Sequence, residues 1–266
     1  MKKLKYILFF AVLSLFGACE KAIDLQPESI LTYNGFWESE EAARAAHVGL
    51  YATFRDYNGT FWGMGELRSD IWGGPTFETP NSVDLINQNI NTTLVPYANW
   101  ANFYGLMHRI NDFLYNIDNI TFEEEAEKQH MIGQIYGMRA FVYYTMLKTW
   151  GEVPITTEPL LDVNPAELAK PRAPKEEVMA LIKSDIERSL EAFGEDSSLW
   201  NGKITYWSKA ATLTLKGDVY IWSGNILGGG AADFTEAKNA LEQVQTMGFS
   251  LVPEYIELWG PANEAN

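Results

Sequence analysis

Cysteine is nearly absent from this chain of 266 residues: the single Cys19 has no partner for an internal disulfide, which excludes a disulfide-stapled scaffold. Histidine is almost as scarce, and His47, His108 and His130 stand too far apart for a metal quartet of ordinary ligand spacing. Positive charge is in short supply. Lys and Arg total 20 against 35 Asp and Glu, a formal net charge of −15, and a field of that sign repels a phosphate backbone, so nucleic acid is set aside as a partner. Long apolar runs are missing too, since no stretch reaches the roughly eighteen uninterrupted apolar residues of a spanning helix. Apolar and aromatic side chains are not missing. They make up 47% and 14% of the chain, enough to build a packed core in one or two domains.

The first residues read as an address. Lys2, Lys3 and Lys5 form a basic head, residues 7–16 an apolar stretch broken only by Ser14, and Gly17-Ala18 a small-residue exit before Cys19. At ~1.5 Å per residue such a stretch covers about half of a ~30 Å hydrocarbon core, so it suits a removable signal peptide over residues 1–18 rather than a permanent span. A lone cysteine directly after two small residues resembles the lipobox of bacterial lipoproteins, with Phe16 in place of the usual Leu; the alternative is a plain secretory signal. On the lipobox reading Cys19 becomes the lipid-carrying first residue of the mature protein, and loss of the leader lysines leaves it more acidic still.

Residues 19–35 read as a Pro-containing tether. Ser39 followed by Glu40 and Glu41 opens a helix predicted to about Arg55, with acids at its positive end. Residues 57–93 show no sustained period, and the clusters Asn58-Gly59 and Gly73-Gly74-Pro75 mark turns, which predicts a long loop of a kind that is often functional. Beyond it helix follows helix, predicted over residues 100–117, 122–149, 175–193, 206–223 and 234–246. Thr121 with Glu124 and Asp233 with Glu236 have capping-box spacing, and Pro174 suits a first turn. Small residues such as Ala210, Ala211, Gly217, Ala237 and Ala240 allow paired helices to approach closely. The expected fold is all-α, with tetratricopeptide-like helical repeats, long irregular loops and a domain over residues 36–266.

Several strings, read in order, resemble the SusD/RagB family of surface nutrient-binding lipoproteins. They begin with Asp24-Leu25, Pro27 and Phe36-Trp37, and continue with Gly49-Leu50-Tyr51 and Glu66-Leu67-Arg68-Ser69-Asp70. Trp100, Tyr104, Arg109 and Asn111 follow at helical spacing. Gly133 and Gly137-Met138-Arg139-Ala140-Phe141 with Tyr143-Tyr144 then run into Trp150-Gly151-Glu152-Val153-Pro154, and Gly248-Phe249, Pro253 and Tyr255 close the series. Family members are usually about twice as long, so the resemblance implies that the helical domain is incomplete at its C-terminal end. It also implies a non-enzymatic role without a cofactor: capture of oligosaccharide or another nutrient at the outer face of the outer membrane, and delivery to a SusC-like TonB-dependent transporter.

In the long loop Trp62, Trp72 and Phe77 offer flat rings for the apolar face of a sugar, and Arg68, Asn81 and Asp84 offer donors and acceptors for its hydroxyls. The competing reading is that these rings turn inward and give the loop a small core of its own. Asp70 reads as a turn-fixing residue. Arg139, Phe141, Tyr143, Tyr144, Trp150, Trp207 and Trp222 have helical spacing and read as core, with Arg139 paired to a carboxylate or carbonyl of a neighbouring repeat. Two other functions compete. A surface glycoside hydrolase would use two of Glu66, Asp70, Glu78 and Asp84, though nothing in the sequence fixes their separation. A repeat scaffold that binds only protein would leave the aromatic loop unexplained.

Overall fold

Ser39 starts a helix as its sequence predicts: its hydroxyl accepts from the Ala42 N–H at 3.3 Å while Glu40 and Glu41 occupy the first turn. The computed structural model describes residues 33–69, 86–89, 99–161, 169–250 and 253–256. The chain divides into two units, residues 1–38 and Ser39–Asn266. Within the first, a single turn α1 spans Tyr33–Phe36, and the rings of Phe36 and Trp37 meet edge to face at 5.1 Å. The second holds α2 (Glu40–Asp56), α3 (Asn58–Gly65), α4 (Ala101–Ile117), α5 (Glu125–Trp150), α6 (Lys175–Phe193), α7 (Lys209–Ile226) and α8 (Gly230–Gln245). The described residues contain no strand, only an isolated antiparallel bridge between Val153 and Ala173. No described helix is long and apolar enough to cross a membrane.

Successive helices pack on one another, α2 on α4, α4 on α5, α5 on α6, α6 on α7 and α7 on α8. This is the layered helical array that the sequence predicts. The 26-residue α5 runs through its middle and is buried nearly all round, from Met131 through Ile135 and Met138 to Val142, Met146 and Leu147. Its glycines let neighbours approach. A Cβ on Gly133 would meet the Phe193 ring at 2.9 Å, and one on Gly137 would land inside the Trp207 indole. Ser189 donates to the Gly133 carbonyl at 2.6 Å, so α6 is hydrogen-bonded as well as packed there. Gly217 on α7 is similarly covered by Leu241 of α8, and Ala237 and Ala240 are buried beside it. Gly137→Ala is expected to destabilise the fold by ~1–3 kcal/mol, since the indole is held by its Nε1–H bond to Thr212 and has little room to shift; denaturant unfolding measures this.

Several predicted boundaries need correction. Residues 58–65 are helical, not loop, because Phe61 packs on Phe54, Phe103 and Phe141 and that burial outweighs the poor helix propensity of Gly59 and Gly65. Thr121 and Glu124 form no capping box. Glu124 itself is the N-cap without a side-chain bond, and the Glu123 N–H is satisfied instead by the Glu40 carboxylate at 3.0 Å. Asp233 does not cap either, since α8 already starts at Gly230; its carboxylate receives Lys183 Nζ at 2.8 and 2.9 Å. Pro174 is the N-cap of α6 rather than its first helical residue. The helix predicted from residue 206 begins only at Lys209, because Ser208 caps it by accepting from the Ala211 N–H, which leaves Tyr206 and Trp207 ahead of the helix.

Candidate functional site

The backbone of α3 passes directly into a single 3₁₀ turn, Glu66–Arg68, with the Glu66 N–H bonded to the Trp62 carbonyl. Leu67 anchors this turn by burial, and the Ser69 hydroxyl and N–H both donate to the Glu66 carbonyl, at 2.6 and 3.0 Å. Arg68 and Gln88, twenty positions apart, then clasp one another. The guanidinium donates Nε and Nη2 to Gln88 Oε1 at 3.4 and 3.3 Å, and the Gln88 amide returns a bond to the Arg68 carbonyl at 2.9 Å. The clasp brings the described residues on either side of positions 70–85 together as one stem. Gln88 has φ +55, a left-handed conformation unusual for a side chain of this kind.

Of the residues predicted to read a ligand, Trp62 lies on α3 with 46% of its surface exposed, and Arg68 is exposed at the stem. Trp72, Phe77, Asn81 and Asp84 lie outside the described residues, as do Asp70, Glu78 and the predicted lipid attachment point Cys19. The fourth nominated acid, Glu66, is exposed. Gln88 was invisible to sequence reasoning, because a lone glutamine in an aperiodic stretch carries no signal of what it will clasp.

Two clefts open beside these elements. One of about 820 Å³ lies between the α2–α3 corner and α4 and is polar, lined by Asp56, Tyr57, Asn102, His108, Arg109 and Asp112 among others. Tyr57 closes one wall by donating to the Asn102 carbonyl at 2.6 Å. The other, of about 570 Å³, lies where α2 meets the segment before α7, and Tyr51, Phe54, Tyr206 and Trp207 line it. Behind its rings is a buried polar network. Tyr51 donates to Gln134 Oε1 at 2.5 Å and accepts from the Trp207 N–H at 2.8 Å, while His47 Nε2 sits 2.9 Å from the same Gln134 oxygen. Burial pushes the Tyr51 hydroxyl well above its usual range and holds the His47 imidazole down to about 4. Both groups are therefore neutral and act as hydrogen-bonding struts.

A family model described as "Starch-binding associating with outer membrane" matches residues 24–220. The chain belongs to the SusD-like family. SusD-like protein P38 of Formosa agariphila is 29% identical over 84% of this chain and 43% of its own length. Among solved structures, NanU of B. fragilis is 34% identical with a TM-score of 0.82, covering 91% of this chain and 49% of that one. A laminarin-binding SusD-like protein shares the fold at 22% identity and a TM-score of 0.70, over 85% of this chain and 49% of its own. The chain thus spans about half the length of the relatives it matches.

Most strings that carry the SusD-like resemblance are scaffold in this structure. Arg139 is buried and donates Nε and Nη2 to Asp185, both at 2.7 Å, and Nη1 to Asn111 at 3.0 Å. Asn111 in turn donates to the Thr156 carbonyl at 2.9 Å, Tyr143 exchanges hydrogen bonds with the Thr156 backbone, and Tyr104 donates to the Pro154 carbonyl at 2.7 Å. The chain leaving α5 is thereby tied down by α4 and α5 side chains. Trp150 packs edge-on against Trp100 and Phe103, and Tyr143 and Tyr144 are buried. Tyr143 and Tyr144 are core, as their helical spacing predicts, while Trp150 is half-buried.

Proposed function

We infer that this protein captures oligosaccharide at the cell surface, anchored to the outer membrane by lipid on Cys19, and hands its cargo unmodified to a SusC-like TonB-dependent transporter. The observation that carries the ligand-binding part is the clasped stem: an exposed indole, Trp62, stands six residues ahead of Arg68, and Arg68 and Gln88 hold one another by reciprocal hydrogen bonds. A ring on a rigid helix is a stacking surface with little conformational entropy left to lose on binding. Trp72, Phe77, Asn81 and Asp84, which lie between Arg68 and Gln88 in sequence, add rings, an amide and a carboxylate to the proposed ligand-reading set. The description of the family model, and the laminarin named for one structural neighbour, support a carbohydrate as the ligand.

Calorimetry with a panel of neutral oligosaccharides, coupled to product analysis, tests this reading. Binding without new reducing ends is expected, and Trp62→Ala is expected to weaken it about tenfold, ~1 kcal/mol or slightly more, with an unchanged helical circular dichroism signal. Cleavage of the sugar would instead support a hydrolase. Metabolic labelling with a fatty acid addresses the anchor: incorporation is expected in the parent and lost in Cys19→Ala, with release of the protein from membranes.

A further inference from the structure

Several cations of this acidic chain are neutralised where they stand: Arg44 pairs with Glu127, Lys183 with Asp233, and Lys216 with both Glu187 and Glu236. The cleft floored by Tyr51, Phe54, Tyr206 and Trp207 is different. Arg55 and Lys203 both line it, no carboxylate does so among the described residues, and neither cation makes an ion pair there. Two cations without an ion pair are therefore grouped at one cleft of a strongly negative molecule.

The rings below these cations are held in place rather than merely collected. Trp207 is fixed at both ends, its backbone N–H on Tyr51 and its Nε1–H on Thr212 at 2.8 Å, and its indole lies over Gly137, where any side chain would displace it. Tyr206 meets Tyr51 edge to face at 4.8 Å. The volume of about 570 Å³ falls within the ~300–1,000 Å³ usual for small-molecule sites. Flat rings below, cations at the margin and no acid together select a ligand that has an apolar ring face and carries negative charge.

We propose that this cleft is a second ligand site, separate from the loop stem, and that it binds an acidic saccharide: a sugar ring bearing a carboxylate or sulfate. The ring stacks on the aromatic floor, and its acid group is held by Arg55 and Lys203. The Thr205 and Asn58 side chains, which line the same cleft, are available to its hydroxyls. The choice of a saccharide rests on the carbohydrate reading above; the negative charge and the location do not.

The test is calorimetry on the purified chain at low salt with four probes: trigalacturonate, its carboxyl-reduced neutral counterpart, a sulfated trisaccharide and hexaglutamate. At least one acidic sugar is expected to bind about tenfold or more tightly than the neutral one, and the two acidic probes distinguish carboxylate from sulfate recognition. Arg55→Gln and Lys203→Gln, both exposed positions that leave folding intact, are each expected to weaken that binding by roughly threefold to tenfold. Trp62→Ala is expected to leave it unchanged. Failure of both acidic sugars to bind, equal binding of the neutral sugar or of hexaglutamate, or full affinity in the double variant overturns the proposal. Acidic-sugar binding lost in Trp62→Ala but kept in Arg55→Gln and Lys203→Gln also overturns it, while leaving the loop-stem reading standing.

Discussion

Arg139→Ala is expected to destabilise this protein by about 3–5 kcal/mol, because it strands the Asp185 carboxylate in the interior. Asp185 is fully buried and Arg139 is 3% exposed. Burial pushes the Asp185 carboxyl upward, and the two guanidinium bonds pull it back only in part. Burial also works against the charge on Arg139, yet its bonds to Asp185 hold the guanidinium above its ordinary value. Each group thus depends on the other to remain charged away from water. The double variant Arg139→Met/Asp185→Leu is expected to recover most of the loss, since an apolar pair carries no desolvation cost. Denaturant unfolding of the parent and these two variants measures both terms; a double variant no better than Arg139→Ala would show that Asn111 and shape, rather than the stranded charge, dominate.

Acid is expected to loosen the fold through His47 before carboxylates titrate widely. Burial holds this imidazole at about 4, with the Gln134 bond opposing that effect, while in the unfolded chain the ring titrates near 6.5. Below about 6.5 the unfolded state therefore takes up a proton that the folded state refuses until about 4. The stabilisation is complete above pH 6.5 and is lost as the pH falls, roughly 3 kcal/mol in all and ~2 kcal/mol by about pH 5. The cause is visible in the surroundings: His47 is 1% exposed and is ringed by Tyr51, Phe113, Trp200 and Tyr206. Unfolding free energies at about pH 7.5 and pH 5 should diverge in the parent and diverge much less in His47→Gln. Equal pH dependence in the two proteins would assign the loss to other groups.

The structure also changes how individual residues are understood. Phe61 reads from sequence as part of a loop with a possible sugar-facing ring set, and it is instead a wedge among Phe54, Phe103 and Phe141 that draws residues 58–65 into a helix. Trp207 reads as a helix-face core residue, and it is a core residue on Gly137 that also lines a cleft, because Ser208 caps the helix and leaves Trp207 ahead of it. A three-residue shift of the helix start, from 206 to 209, decides whether a ring is buried by its own helix or presented at the helix entrance. Cap competition of this kind depends on which neighbours the ring can reach, which a linear pattern does not encode.

By itself the sequence determined the all-α architecture, the start marked by Ser39 and the acids after it, a structural pairing for Arg139 and the family, because periodicity, capping chemistry and a buried charge each write a local signature, while only the structure chose a carboxylate, Asp185, over a carbonyl as its partner. Tertiary structure alone decided that Arg68 is clasped by Gln88, that Glu40 rather than Thr121 completes the start of α5, and that Arg55 and Lys203 share one cleft from positions 148 residues apart. Such encounters are set by how whole helices stack. Their driving force is burial of apolar surface, which has no direction and leaves no mark at the polar residues it happens to bring together.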